Sequence, residues 1–261
     1  MMYKVEELLL MTGGEIILKE DPLVKIQQPT IKQIALKGES EFFRSMNIFY
    51  IGSEPLIEFI NRLETLEENE KKILLKTTTA YDNLLFVMQV STADGTDKYE
   101  IVKLAQSAFD LLTPEYRFNF DSQKQEMSLI SLEDSHSIVV DRELFMKIKS
   151  VAEQIFLLDK FFRNSEKEKL SPAAQKIADK IAKSERKIKE MNGEKEEGSY
   201  FARILSIMGM HADLDYLSNL TVYQLHNQFE RFNLFTNYNQ NMRAVLAGAT
   251  NVEFIDWYKK I

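Results

Sequence analysis

The sequence predicts an α+β, mainly helical protein: a small antiparallel sheet with helices, a charged αα-hairpin and a C-terminal helical module. Three observations carry this. Apolar residues recur at helical spacing over most of the chain, the period changes to about two only near residues 15–27 and 116–140, and the chain holds just 9 Gly and 5 Pro in 261 residues. Hydrophobic residues at 44% and charged residues at 28% are those of an ordered globular chain with a core.

The elements follow in order. Glu15 to Leu18 and Leu23 to Gln27 flank the turn-prone Lys19-Glu20-Asp21-Pro22, which predicts a hairpin that opens the protein. Thr30 with Gln33 three residues on is a capping box, and Gly38 is a stop, so a helix is expected at 31–37. Residues 40–90 read as mainly helical, interrupted at Gly52-Ser53-Glu54-Pro55 and re-entered at Glu67 to Glu70; Asp94-Gly95 precedes a helix near 97–111. Beyond Thr113-Pro114, Tyr116, Phe118 and Phe120 alternate with polar residues, and Met127 to Leu132 and Ser137 to Val140 add two strands. The opening hairpin is expected to join this sheet, since two strands alone are marginal in water.

Asp141 caps a helix in which Leu144, Ile148, Val151, Ile155, Leu158 and Phe162 form a heptad seam. Ser171-Pro172 opens a second arm with Ala174, Ile177, Ile181, Ser184, Ile188 and Met191 at matching steps, ended by Asn192-Gly193. Two such arms predict an antiparallel hairpin. Its charges nearly cancel, with nine Lys/Arg against eight Asp/Glu from Asn164 to Glu197. Glu194 to Gly198 reads as a hinge. In the terminal module Thr221 and Gln224 form a second capping box, stapled by Leu220 and Leu225, and Val222, Leu225, Phe229 and Phe232 make an apolar stripe. Phe235, Phe254 and Trp257 are read as further core of that module. The expected organisation is a mixed region at 1–140, a helical hairpin at 141–193 and a helical module at 199–261.

Signals for chemistry are sparse. With no cysteine, thiolate nucleophiles, disulfides and Cys-based metal sites are excluded. His136, His211 and His226 have no metal-ligand spacing, and no phosphate loop or nucleophile elbow is present. Asp213 and Asp215 form a D-x-D pair, read first as a helix start and alternatively, with His211, as a metal-dependent enzyme site. The expectation is no catalytic residue, no metal and no cofactor. A net charge of −7 disfavours nucleic acid and anionic membranes, no apolar run is long enough to span a bilayer, and the interrupted N-terminus does not read as a signal peptide. A cytosolic protein is expected.

Two stretches carry a resemblance. "VKIQQPTIKQIALKGESEFF" from Val24 and "LTVYQLHNQFERFNL" from Leu220 resemble motifs of tail-assembly (tape-measure) chaperones of tailed phages and prophages of Gram-positive bacteria. The order of elements is similar across most of the chain. The resemblance implies a non-enzymatic role in the host cytoplasm, binding a tail structural protein, the tape measure, while tube subunits polymerise around it. The alternative is a tail or baseplate subunit retained in the virion. Ile177, Ile181 and Ile188 on the hairpin, with Phe254 and Trp257 at the C-terminus, are the candidate partner-binding residues.

Overall fold

In the computed structural model, residues 3–51, 60, 68–93, 100–158, 199–250, 252 and 254 are described. Helix α1 (Glu7–Thr12) comes first and stops at Gly13, whose φ of 71° lets its amide donate to the Leu9 carbonyl at 3.1 Å. The hairpin therefore does not open the protein. A six-residue helix is too short for a 3.6-residue period to show in the sequence.

Strands β1 (Ile16–Glu20) and β2 (Leu23–Ile26) pair antiparallel, with Asp21 and Pro22 alone as the turn. Ile16, Leu18, Val24 and Ile26 alternate onto the buried face. The pair remains a separate two-stranded sheet, contrary to the expected junction with the later strands. Its apolar face packs on helices, which supplies the stability a third strand would give. Single bonds tie it to the neighbouring elements: the Gln27 amide donates to the Leu112 carbonyl at 2.8 Å, and the Tyr116 hydroxyl to the Leu23 carbonyl at 2.5 Å.

Helix α2 (Ile31–Lys37) has both halves of its capping box, with the Gln33 amide on Thr30 Oγ1 at 3.3 Å and the Thr30 amide on Gln33 Oε1 at 2.8 Å. Helix α3 (Glu39–Met46) runs into a 3-10 turn (Asn47–Tyr50), and α4 (Glu68–Thr77), α5 (Ala80–Ala93) and α6 (Glu100–Leu112) follow. The breaks expected at 52–55 and 94–95 lie outside the described residues. Strands β3 (Tyr116–Asp121), β4 (Glu126–Ser131) and β5 (Ser137–Val139) form a meander in that order. Phe118 of β3 stacks on Phe109 of α6 at 4.6 Å, fixing the sheet against the helices.

Helix α7 (Arg142–Ile155) starts where expected: Asp141 Oδ1 accepts from the Leu144 amide at 2.8 Å. Leu144, Ile148, Val151, Ile155 and Leu158 are all buried. They belong to the same core as the hairpin face, Phe49 and Phe109. The seam does not run to Leu158 on one helix, because the backbone turns left-handed at Leu157 (φ 53°) just after α7 ends; Phe162 lies outside the described residues. Lys149 is accommodated in this core by bonds of 2.7 Å to the Phe49 carbonyl and to Glu153, with its ammonium 4.2 Å from the Tyr50 ring centroid. Residues 159–198, including the second arm with Ile177, Ile181 and Ile188 and the hinge at 194–198, lie outside the described residues.

The C-terminal helices are α8 (Tyr200–Met208), α9 (Leu214–Ser218) and α10 (Val222–Leu246). The whole is α+β and mainly helical, with one sheet of two strands and one of three. No helix among the described residues is long and apolar enough to cross a membrane.

Candidate functional site

Among the contacts that join the C-terminal helices to the rest of the described chain, three are hydrogen-bonded joints, each built by a residue type suited to it. At the start of α8, Ser199 caps the helix by accepting from the Ala202 amide at 3.1 Å. The Glu39 carboxylate, from the first turn of α3, sits over the same terminus: it accepts from the Tyr200 amide at 2.6 Å, the Phe201 amide at 3.3 Å and the Ser199 hydroxyl. An anion at a helix N-terminus answers both the unpaired amides and the helix dipole. Behind it Phe42 meets Phe156 edge-on at 5.1 Å and Phe201 at 6.0 Å. Phe42 thus touches both the end of α7 and the start of α8.

The second joint brings the two capping boxes together. Thr30 and Thr221 form an antiparallel bridge, and the Ile31 amide donates to the Leu220 carbonyl at 2.9 Å. Both stretches that carry the resemblance therefore meet in space, cap to cap. The third joint is Gln224. Its Oε1 accepts from the Thr221 amide at 2.9 Å while its Nε2 donates to the Met11 carbonyl at 2.8 Å, tying α10 to α1. Gly13 is favoured as glycine by its positive φ, and a Cβ there would in addition lie close, at 3.3 Å, to both Gln224 Nε2 and Thr221 Cγ2.

These joints hold only the beginning of α10. Val222, Leu225, His226 and Asn227 are buried, and Phe229 and Phe232 pack against the core. From Gln228 to Leu246 no residue is buried. A second set of apolar residues, Phe235, Tyr238, Met242 and Val245, recurs there at steps of 3, 4 and 3, with Leu246 beside it. At 3.6 residues per turn this set lies roughly 130° around the helix from the first. Leu246 is 82% exposed, Met242 38% and Val245 41%. One helix thus carries a stripe for its own core and a different stripe turned away from it.

The residues singled out in the sequence divide accordingly. Phe254 is 45% exposed and contacts Tyr238 at 5.5 Å, and Phe235 is equally exposed, so neither is core as expected. The stripe's turn around the helix, and not its composition, decides this. Ile177, Ile181, Ile188 and Trp257 lie outside the described residues. Tyr238, Met242, Val245 and Leu246 join Phe235 on this stripe. Their 3-4-3 spacing is visible in the sequence, but the offset from the stripe before it reads as an end of amphipathicity.

The possible metal ligands have other tasks. Asp213 Oδ1 caps α9, accepting from the Asp215 amide at 2.7 Å and the Tyr216 amide at 3.3 Å; Asp215 faces Lys32 at 3.7 Å, and the His211 ring lies 4.8 Å from that of Phe232. Among the described residues no three His, Asp or Glu are grouped to hold a metal. A cavity of about 600 Å³ opens between the turn at Pro22 and the β4–β5 loop. Glu115 on its wall is paired with Lys25 at 2.7 Å, and this carboxylate, then Glu15, raises the Lys25 ammonium above its ordinary value. On the other side the Ser131 hydroxyl and then the His136 amide hold the Asp134 carboxyl below its usual range. Both shifts come first from local hydrogen bonds, at a half-buried lysine and an exposed loop carboxylate.

Residues 193–261 match the family model of the YomV second domain, a family derived from a Bacillus prophage protein. The C-terminal helices are similar to a phage domain. The match begins just before α8 and takes in α9, α10 and the exposed stripe, leaving residues 1–192 outside it. No curated protein and no solved structure matches the chain.

Proposed function

We propose that this protein is a non-enzymatic phage tail morphogenesis protein that acts in the host cytoplasm, binding a tail structural protein, the tape measure, as an assembly chaperone. The observation that carries the reading is the stripe on distal α10, which lies within the phage-domain match and exposes Met242, Val245 and Leu246. A tape measure is rich in long amphipathic helices, and their apolar faces aggregate unless a second amphipathic surface covers them. The sequence resemblance to tape-measure chaperones supports the same conclusion, and the two stretches bearing it are bonded to each other at Thr30 and Thr221.

Co-expression with the tape-measure protein of the same phage tests it. The expected result is that the partner stays soluble and co-purifies, and that the complex withstands moderate salt because apolar burial dominates the contact. A partner that remains insoluble, together with this chain appearing in purified virions by mass spectrometry, contradicts the chaperone role and makes the protein a structural tail subunit.

A further inference from the structure

We infer that the distal stripe of α10 is an intramolecular docking face, over whose first half the chain's own segment from Val252 onward closes, with Phe254 as the anchor. The contact lies within the chain and does not depend on the chaperone reading. It begins with how α10 ends. The Gly248 amide donates to the Val245 carbonyl at 2.9 Å and the Ala249 amide to the Ala244 carbonyl at 3.0 Å, with Gly248 at a φ of 98°. This pair of bonds is the Schellman arrangement, which stops the helix at a glycine and redirects the chain. The new direction is fixed by Phe254, whose ring lies 5.5 Å from that of Tyr238. Tyr238 is ~12 Å back along the helix from Leu246, and the chain from Gly248 to Phe254 can span at most ~20 Å, so it has come back along α10 to the stripe.

The sequence beyond that point carries a matching pattern. Phe254, Trp257 and Ile261 recur at steps of 3 and 4, the same steps as Phe235, Tyr238 and Met242 on α10. A segment that continues from Phe254 toward the start of the helix meets Phe235 next, which is 45% exposed, and leaves Leu246 at the far end open. The short connection also decides between this segment and a second copy of the chain. A linker of a few residues holds its two ends at an effective concentration in the millimolar range, so a modest apolar contact closes within one molecule at protein concentrations far below those at which a second copy competes. A helix that docks along the whole stripe has to displace Phe254 first, because the two occupy the same face of Tyr238.

The test uses the full-length chain, in which Trp257 is the single tryptophan and stands three residues from Phe254. Acrylamide quenching of its fluorescence reads whether the segment is seated. In the wild type the quenching constant is expected to be at least twofold below that of N-acetyltryptophanamide and independent of protein concentration. Tyr238→Asp and Phe254→Ser each raise it at least twofold and shift the emission to the red, with the melting temperature unchanged. Asn237→Asp, at an exposed position of α10 off the stripe, leaves it as in the wild type. If Tyr238→Asp lowers the melting temperature, Phe254→Ser, at an exposed position, decides alone. A wild-type tryptophan as accessible as the free amide, protection that survives Phe254→Ser, an equal loss of protection in Asn237→Asp, or protection that appears only at concentrations where the chain dimerises in sedimentation, each overturns the inference.

Discussion

The smallest features of this protein are those most legible from its sequence, because they are local. Thr30 with Gln33 and Thr221 with Gln224 are capping boxes in the sequence and in space, since cap and amide lie three residues apart. Glu39 is a different case. Its carboxylate terminates a helix 160 residues away, and no local pattern announces a carboxylate that serves a remote N-terminus. Asp213 shows the middle ground, where a D-x-D pair fits both a ligand and a cap until the Asp215 and Tyr216 amides are placed on it. At Thr221 the hydroxyl is buried and accepts from the Gln224 amide at 3.2 Å. Thr221→Ala is therefore expected to cost about 0.5–2 kcal/mol, the range for a lost N-cap. Circular dichroism melts check this, and an unchanged midpoint would mean that Gln224 alone secures the terminus.

Among the elements, periodicity located helices and strands well and misjudged what they face. The 3.6-residue period of α7 and the alternation of β3 and β4 appear where expected, because each side chain's face follows directly from its spacing. The heptad steps from Leu144 to Leu158 fill a core shared with β1, β2 and α6, and α7 itself ends before the left-handed turn at Leu157, while Phe162 and the second arm of the expected hairpin lie outside the described residues. Heptad spacing says that a face is apolar, and the partner of that face depends on tertiary packing. Ile155 tests this directly, being almost wholly buried at the end of the seam. Ile155→Asp places an unpaired carboxylate in that core and is expected to cost roughly 3–5 kcal/mol. An unchanged urea midpoint would show that the seam is open to solvent. Helix α10 gives the opposite lesson: its two stripes cancel when averaged around the helix, so the exposed one is hidden from a period analysis of the whole element.

In the molecule as a whole, the C-terminal helices are secured at Glu39, Thr30 and Met11, and the same helix that is fixed at its start extends beyond the core at its end. This division places rigidity and exposure on one element. A surface presented on a firmly anchored helix loses little freedom on binding, so more of its apolar burial is realised as affinity. The fold class was readable because composition and period report it. The exposed stripe was not, because its exposure depends on where the core ends along α10. The most direct test is hydrogen–deuterium exchange on the full-length chain, alone and in complex with the co-expressed tape-measure protein. Complex formation is expected to slow exchange within residues 232–246 while α7 and β3–β4 are unchanged. No gain of protection in 232–246, or a gain confined to residues before 158, would contradict it.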